Sequence, residues 1–310
     1  MDAVAVILEA PEHLTLRTLA LTTPQNSDIV VDIAWSGIST GTERLLWSGR
    51  MPEFPGMGYP LVPGYESVGR VVDAGADARG RIGEWVFVPG ANCYEGARGL
   101  FGGSASRVVL PGARAIPVAE SLGANGVLVA LAATAFHAIA GHVLPDLIVG
   151  HGVLGRLLAR IAVATGTPPP TVWETNSART SGAQGYRVVH PDSDDRRDYK
   201  AIYDASGDGA LLDSLIGRLT RGGEVVLAGF YDKPLNFNFP PAFMREARLR
   251  IAAEFRSEDL EAVTSMIASG ALNLDGLVTH TRPAAEADAA YPRAFTDISC
   301  LKMVLDWNSL

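Results

Sequence analysis

A glycine-rich turn carries the clearest chemistry in this chain of 310 residues. Gly150, Gly152 and Gly155 stand in a G-x-G-x-x-G array behind a short apolar run, Leu147-Ile148-Val149. Leu154, Leu157, Leu158, Ile161 and Ala162 follow at helical spacing. Such a turn offers free backbone N–H groups and the positive end of a helix dipole to a pyrophosphate. Gly150 is expected to make the tight turn, Gly152 to let the phosphates approach, and Gly155 to let the helix pack on the strand. Val153 and Leu154 open that helix. Nineteen residues past Gly155, Glu174 closes a second apolar run, Thr171-Val172-Trp173. A carboxylate there accepts hydrogen bonds from ribose hydroxyls and repels a 2′-phosphate, which predicts NAD over NADP. Arg179, close by in sequence, pulls the other way.

The turn needs a sheet to hold it. Up to about residue 118 the chain is rich in short β-type runs, at 3–8, 29–35, 67–72, 85–88 and 106–110, with prolines between them. From about Leu122 the pattern changes. A long apolar helix over 122–142 leads into alternating strands and helices: strands at 147–149, 171–174, 188–189, 201–204 and 225–228, helices at 154–165 and 209–219. That alternation predicts an α/β fold with a doubly wound parallel sheet. Thr167-Pro168-Pro169-Pro170 reads as a stiff surface connection. The expected division is a β-rich domain over 1–120, a nucleotide-binding domain over 121–275, and a segment over 276–310 that returns to the first domain.

Composition excludes some partners. Twenty-six basic residues against thirty-four acidic ones give a net charge of −8, with no basic run, so a nucleic-acid partner is not expected. The opening residues read as a strand rather than a secretory leader. The apolar stretch 127–139 is short and contains Thr134 and His137, so no transmembrane segment is expected. Two cysteines, Cys93 and Cys300, imply no disulfide framework. A cytoplasmic setting follows as the expectation.

Several further stretches resemble the medium-chain dehydrogenase/reductase superfamily along nearly the whole chain. They are Gly37-Ile38-Ser39-Thr40-Gly41-Thr42-Glu43, Pro63-Gly64-Tyr65-Glu66-Ser67-Val68-Gly69, Thr134-Ala135-Phe136-His137, the glycine turn itself, Asp204-Ala205-Ser206-Gly207 and Gly222-Gly223-Glu224-Val225-Val226. The resemblance implies a GroES-like β-rich catalytic domain beside a Rossmann domain. It also implies that Thr134 packs on the nicotinamide, and that Ser206 and Gly229 line the cofactor. Zinc-dependent members use Cys, His and Cys as catalytic ligands. Here those positions fall at Ser39 or Thr40, at Tyr65 and at Ala130, and the cysteine-rich lobe that holds a structural zinc is absent. Tetrahedral zinc needs three or four Cys, His or carboxylate ligands, so no metal is expected.

Within the superfamily, residues 35–43, 47–52, 60–66 and 173–176 resemble a zinc-free branch. Its members use NAD to oxidise the 3-(1-hydroxyethyl) group of a magnesium chlorin or bacteriochlorin to acetyl, in bacteriochlorophyll a synthesis. The resemblance then assigns roles. Tyr65 would face the reacting carbon and act as acid or base if a neighbour lowered its pKa. Thr42 would touch the alcohol oxygen and begin a proton relay. Ser39, Thr40 and Glu66 would line the former metal site, with Glu43 and His137 as weaker candidates. The 50–60 segment would wall a slot for a flat pigment, through Met51, Phe54 and Tyr59, with Arg50 meeting the pigment carboxylate. The carbinol carbon would sit on a conjugated ring, which is expected to delocalise charge developing on hydride loss. Two alternatives stay open at this point: a zinc-free reductase of quinones or activated double bonds, and a non-catalytic carrier of NAD and pigment. The resemblance also implies a homodimer, formed through the sheet edge around 237–239 and 249–251, and leaves peripheral membrane contact open.

Overall fold

The computed structural model describes every residue except Thr167 and Asp232. Thr167 of the expected proline-rich connection therefore lies outside the described residues. The chain forms two compact units, 1–130 with 274–310, and 131–273.

The first unit is built on the strand Asp28–Ile38, whose Ile29, Val30, Val31, Ile33 and Ile38 are all buried. An apolar run of this kind needs cover on both faces. In its sheet the strand order is His280–Pro283, Met303–Asp306, Asp28–Ile38, Ser67–Ala74, Trp85–Val88 and Ile116–Pro117, with Arg107–Pro111 also paired to Asp28–Ile38. The late strand Met303–Asp306 runs antiparallel to Asp28–Ile38, setting Met303 opposite Ile38 and Asp306 opposite Trp35. That pairing carries the C-terminal residues back into the β-rich unit. A second sheet joins His13–Ala20, Asp2–Ala10, Leu61–Val62 and Arg98–Gly99.

The long helix expected over 122–142 is two pieces. A 3-10 stretch, Glu120–Leu128, is broken by non-helical backbone at Gly123, and an α-helix follows over Val129–Ile139. The 3-10 stretch packs on the strands Asp28–Ile38 and Ser67–Ala74, which is why the first unit extends to Ala130. By length and apolar composition Glu120–Ile139 reaches what a membrane span requires, contrary to the expectation drawn from 127–139 alone. More than half of it is buried inside the protein, as in the core helix of a folded domain.

Among the described residues the second unit holds a six-stranded parallel sheet. Its order is Arg187–Val189, Thr171–Trp173, Leu147–Val149, Tyr199–Asp204, Leu219–Leu227 and Arg248–Ile251. This is the doubly wound order in which the first strand lies at the centre and its C-terminal end faces the nucleotide. Leu147, Val149, Trp173, Ile202, Leu215, Ile216 and Val225 form a core here. The expected helix 209–219 is shorter, a 3-10 turn over Gly209–Leu211 and an α-helix over Leu212–Ile216. Leu219 already belongs to the next strand.

Candidate active site

Strand Asp28–Ile38 ends just before Ser39, and the helix Thr42–Ser48 begins three residues later. The tight connection puts several polar side chains in one place. Ser39 is buried and its Oγ shares a 2.7 Å hydrogen bond with the half-buried Tyr65 hydroxyl. The Thr42 side chain hydrogen-bonds the same phenol. Thr40 is exposed. Three of the expected hydroxyls therefore meet, and the fourth does not join them. Tyr65 also packs edge-on against Phe101, with ring centroids 5.4 Å apart.

No neighbour lowers the Tyr65 pKa on balance. Burial and the adjacent Glu66 carboxylate push the phenol above its usual range, outweighing the hydrogen bonds from Ser39 and Thr42. Tyr65 is thus held as a neutral hydroxyl, and the condition attached to its acid or base role, a neighbour that lowers its pKa, is not met.

Glu66 is held in an ion pair. It is fully buried, and its Oε2 lies 2.5 Å from the Lys302 Nζ, which also donates to the Ile38 carbonyl at 3.2 Å. Lys302 is 2% exposed. The one signal of it in the sequence is a lone Lys inside the apolar run 300–305. Lysine is almost never fully buried without a partner.

Glu43 is also fully buried. Its Oε2 accepts from the Tyr291 hydroxyl at 2.6 Å and its Oε1 from the Ser39 backbone N–H at 3.2 Å. Burial, assisted by the nearby Glu66 charge, raises its pKa to about 7 against the pull of those two donors. The folded-state value lies above the unfolded one. Protonated Glu43 thus favours the fold fully below about pH 4.5, and that contribution is lost as pH rises to about 7. Glu43→Gln keeps an amide oxygen for Ser39 and an NH2 for Tyr291. It is expected to be more stable than the parent at pH 8 by about 2–3 kcal/mol and similar to it at pH 5. Urea unfolding at the two pH values measures this, and a constant difference between them would refute it.

The former ligand positions thus hold two mutually bonded hydroxyls, Ser39 and Tyr65, and the buried methyl of Ala130. Among the described residues no three His, Cys, Asp or Glu side chains gather to hold a metal. This donor set does not fit zinc.

Of the expected slot residues, Met51 and Tyr59 pack with Met57 on the buried cluster Leu8, Leu46, Leu61 and Leu100, and the Tyr59 hydroxyl donates to the Leu46 carbonyl. They anchor the 50–60 segment. Phe54 is exposed, and the exposed Arg50 donates from Nε to Ser48 at 3.1 Å.

The nucleotide half lies in the second unit. Gly150 has φ +95°, and a methyl on Gly155 would sit 1.9 Å from the Gly150 carbonyl oxygen, so each position requires glycine. Gly152 faces open space, the approach a pyrophosphate needs. The helix Val153–Ala164 starts directly after it. The Glu174 carboxylate is oriented by two backbone donors, His151 N–H at 3.1 Å and Asn176 N–H at 2.8 Å. Asp204 braces the next strand end. Its Oδ1 accepts from Ser206 N–H and Oγ–H, its Oδ2 from the Tyr231 hydroxyl at 2.7 Å, and its carbonyl from Gly229 N–H. Thr134 lies half-buried on the helix Val129–Ile139. On the same helix, the His137 Nδ1 shares a 2.7 Å hydrogen bond with the Asp259 carboxylate. His151 is fully buried, not the solvent-facing neighbour of phosphate that its place in the turn suggests.

Comparison with known proteins agrees with this architecture. The alcohol dehydrogenase GroES-like domain family matches residues 25–120. The chain is 59% identical to the 2-desacetyl-2-hydroxyethyl bacteriochlorophyllide A dehydrogenase of Rhodobacter capsulatus, over 99% of both chains. It is 58% identical to the protein of the same name from Cereibacter sphaeroides, over 100% of this chain and 99% of that one. Among solved structures, acetophenone reductase from Geotrichum candidum in complex with NAD superposes with a TM-score of 0.85 at 19% identity, over 100% of this chain and 98% of that one, a likeness of fold. The chain therefore belongs to the 2-desacetyl-2-hydroxyethyl bacteriochlorophyllide A dehydrogenases, within the medium-chain dehydrogenase/reductase superfamily.

Proposed function

We propose that this protein oxidises the ring-bound hydroxyethyl group of a magnesium chlorin or bacteriochlorin to acetyl, with NAD as hydride acceptor and without zinc. The observation that carries the reading is full-length identity of 59% to a dehydrogenase named for that substrate. When bound, the nicotinamide takes the hydride from the carbinol carbon. The glycine turn and the first turn of the helix Val153–Ala164 hold the pyrophosphate. Glu174, already oriented by two N–H donors, keeps lone pairs for the ribose hydroxyls and disfavours a 2′-phosphate, which supports NAD over NADP.

The departing proton is relayed to solvent water through the hydroxyl cluster of Ser39, Thr42 and Tyr65, which holds the alcohol oxygen by hydrogen bonding in place of a metal. Phe54 and Arg50, both exposed on the 50–60 segment, are the residues we assign to the pigment ring and its carboxylate. Incubation with NAD and hydroxyethyl pigment, before and after dialysis against a chelator, tests the reading. A shifted pigment band with NADH formation, unaffected by the chelator, is expected. Pigment binding without turnover would make the protein a carrier, and turnover of quinones alone would make it a reductase.

We also propose a homodimer through the strand Arg248–Ile251. It lies at the edge of the parallel sheet with Ile251 78% exposed, and the helix Phe239–Arg245 exposes Phe239, Phe243 and Met244. An apolar open edge invites pairing with a second copy. Ile251→Lys is expected to halve the mass seen by light scattering; a monomeric parent protein would end the proposal.

A further inference from the structure

The second residue of the glycine turn is a histidine, and its ring is used away from the phosphates. The His151 Nδ1 lies 2.6 Å from the Arg179 carbonyl oxygen, and Nε2 lies 2.8 Å from the Tyr186 hydroxyl. A carbonyl only accepts, so Nδ1 carries the hydrogen and Nε2 accepts from the tyrosine. Burial, the largest influence on the ring, lowers its pKa to about 4, which keeps this neutral form at working pH.

The same Arg179 carbonyl accepts a second N–H from Arg156, at 3.0 Å. Arg156 also donates to Ser181 O at 2.8 Å and to the His151 carbonyl at 3.0 Å. Gly182 makes room for that guanidinium, since a methyl there would sit 2.3 Å from it. At the other end of this segment the His151 backbone N–H donates to Glu174. The turn that meets the pyrophosphate thus grips the 174–181 segment twice, by its backbone at Glu174 and by the His151 ring at Arg179.

We propose that His151 is a positioning residue for the adenosine ribose: its ring fixes the 174–181 segment so that the Glu174 carboxylate is held toward the ribose hydroxyls, and selectivity for NAD over NADP depends on that clamp. The inference rests on the reading of Glu174 given above. A mobile segment would let the carboxylate swing away, weakening NAD binding while relaxing the repulsion of a 2′-phosphate.

Fluorescence titration with NADH and with NADPH, without pigment, tests this. In His151→Phe the NADH Kd is expected to rise about tenfold and the NADPH Kd to change less than about twofold, so selectivity falls about tenfold. His151→Asn, whose amide nitrogen can stand in for Nδ1–H, is expected to restore most of the selectivity. Tyr186→Phe deletes one atom and frees Nε2, with about a threefold loss expected. This variant carries the test should His151→Phe not fold. Unchanged selectivity in a folded His151→Phe, or in Tyr186→Phe, overturns the proposal. So does a His151→Asn as impaired as the Phe variant. Glu174→Ala, titrated alongside, isolates the underlying reading: if that variant keeps the parent's selectivity, the assignment of Glu174 fails rather than the clamp.

Discussion

Lys302→Met is expected to unfold about 3–5 kcal/mol more easily than the parent protein. Lys302 and Glu66 form an ion pair in which both side chains are almost wholly shielded from water, at 2% and 0% exposure. Neither charge can be rehydrated without disturbing the strands that carry them, because Met303–Asp306 and Ser67–Ala74 flank Asp28–Ile38 in one sheet. Removing the lysine leaves a carboxylate buried beside Glu43, with its other oxygen, Oε1, already lacking a hydrogen-bond partner. That loss is a large share of the ~5–15 kcal/mol by which a domain of ordinary stability is folded. The double variant Glu66→Gln, Lys302→Met removes both charges and is expected to recover more than half of it. Urea unfolding of the parent and the two variants measures both. A single variant as stable as the parent would show that water reaches Glu66.

The same pair shows where sequence reasoning stopped. The nucleotide half was legible because its chemistry is local: a strand, a glycine turn, a helix and an acidic residue nineteen positions on are all adjacent in the chain. The open space at Gly152 and the close approach at Gly155 follow from that spacing. The hydroxyl cluster was legible only through the positions Ser39, Thr42 and Tyr65 occupy in the resembling family. Lys302 and Tyr291 were not read, because they reach Glu66 and Glu43 across 236 and 248 residues of chain. No periodicity announces such contacts. The surroundings of His151 are hidden from the sequence for a related reason. Its neighbours in sequence are turn glycines, but its ring partners, Arg179 and Tyr186, lie on a segment that only the parallel sheet brings alongside. The break at Gly123 lies in Glu120–Leu128, just ahead of the apolar run from Val127 that suggests a single long helix.

Tyr65→Phe is expected to lower kcat for the hydroxyethyl substrate by about a hundredfold or more, with KM within about threefold of the parent. Oxidation releases a proton along with the hydride, and on the zinc-free reading proposed above the proton passes through hydrogen-bonded groups. The Tyr65 phenol is bonded to Ser39 at 2.7 Å and to Thr42. Burial and Glu66 hold its pKa above the usual range, so it does not wait as a phenolate. It can take the alcohol proton only while passing its own to Ser39 or Thr42, and that hydroxyl must in turn release its proton to solvent water. Phe at this position keeps the ring against Phe101 and removes the relay oxygen. Ser39→Ala leaves Thr42 as a second outlet and is expected to cost only about tenfold. The rate profile of the parent should show no ionisation of this phenol up to about pH 10. A phenolate base would produce such a limb and would be lost in Tyr65→Phe. Stopped-flow turnover across pH separates the cases. Unimpaired turnover in Tyr65→Phe would reduce Tyr65 to a side chain that fills the place of a metal ligand, and the proton would then have to pass to water directly, without the relay.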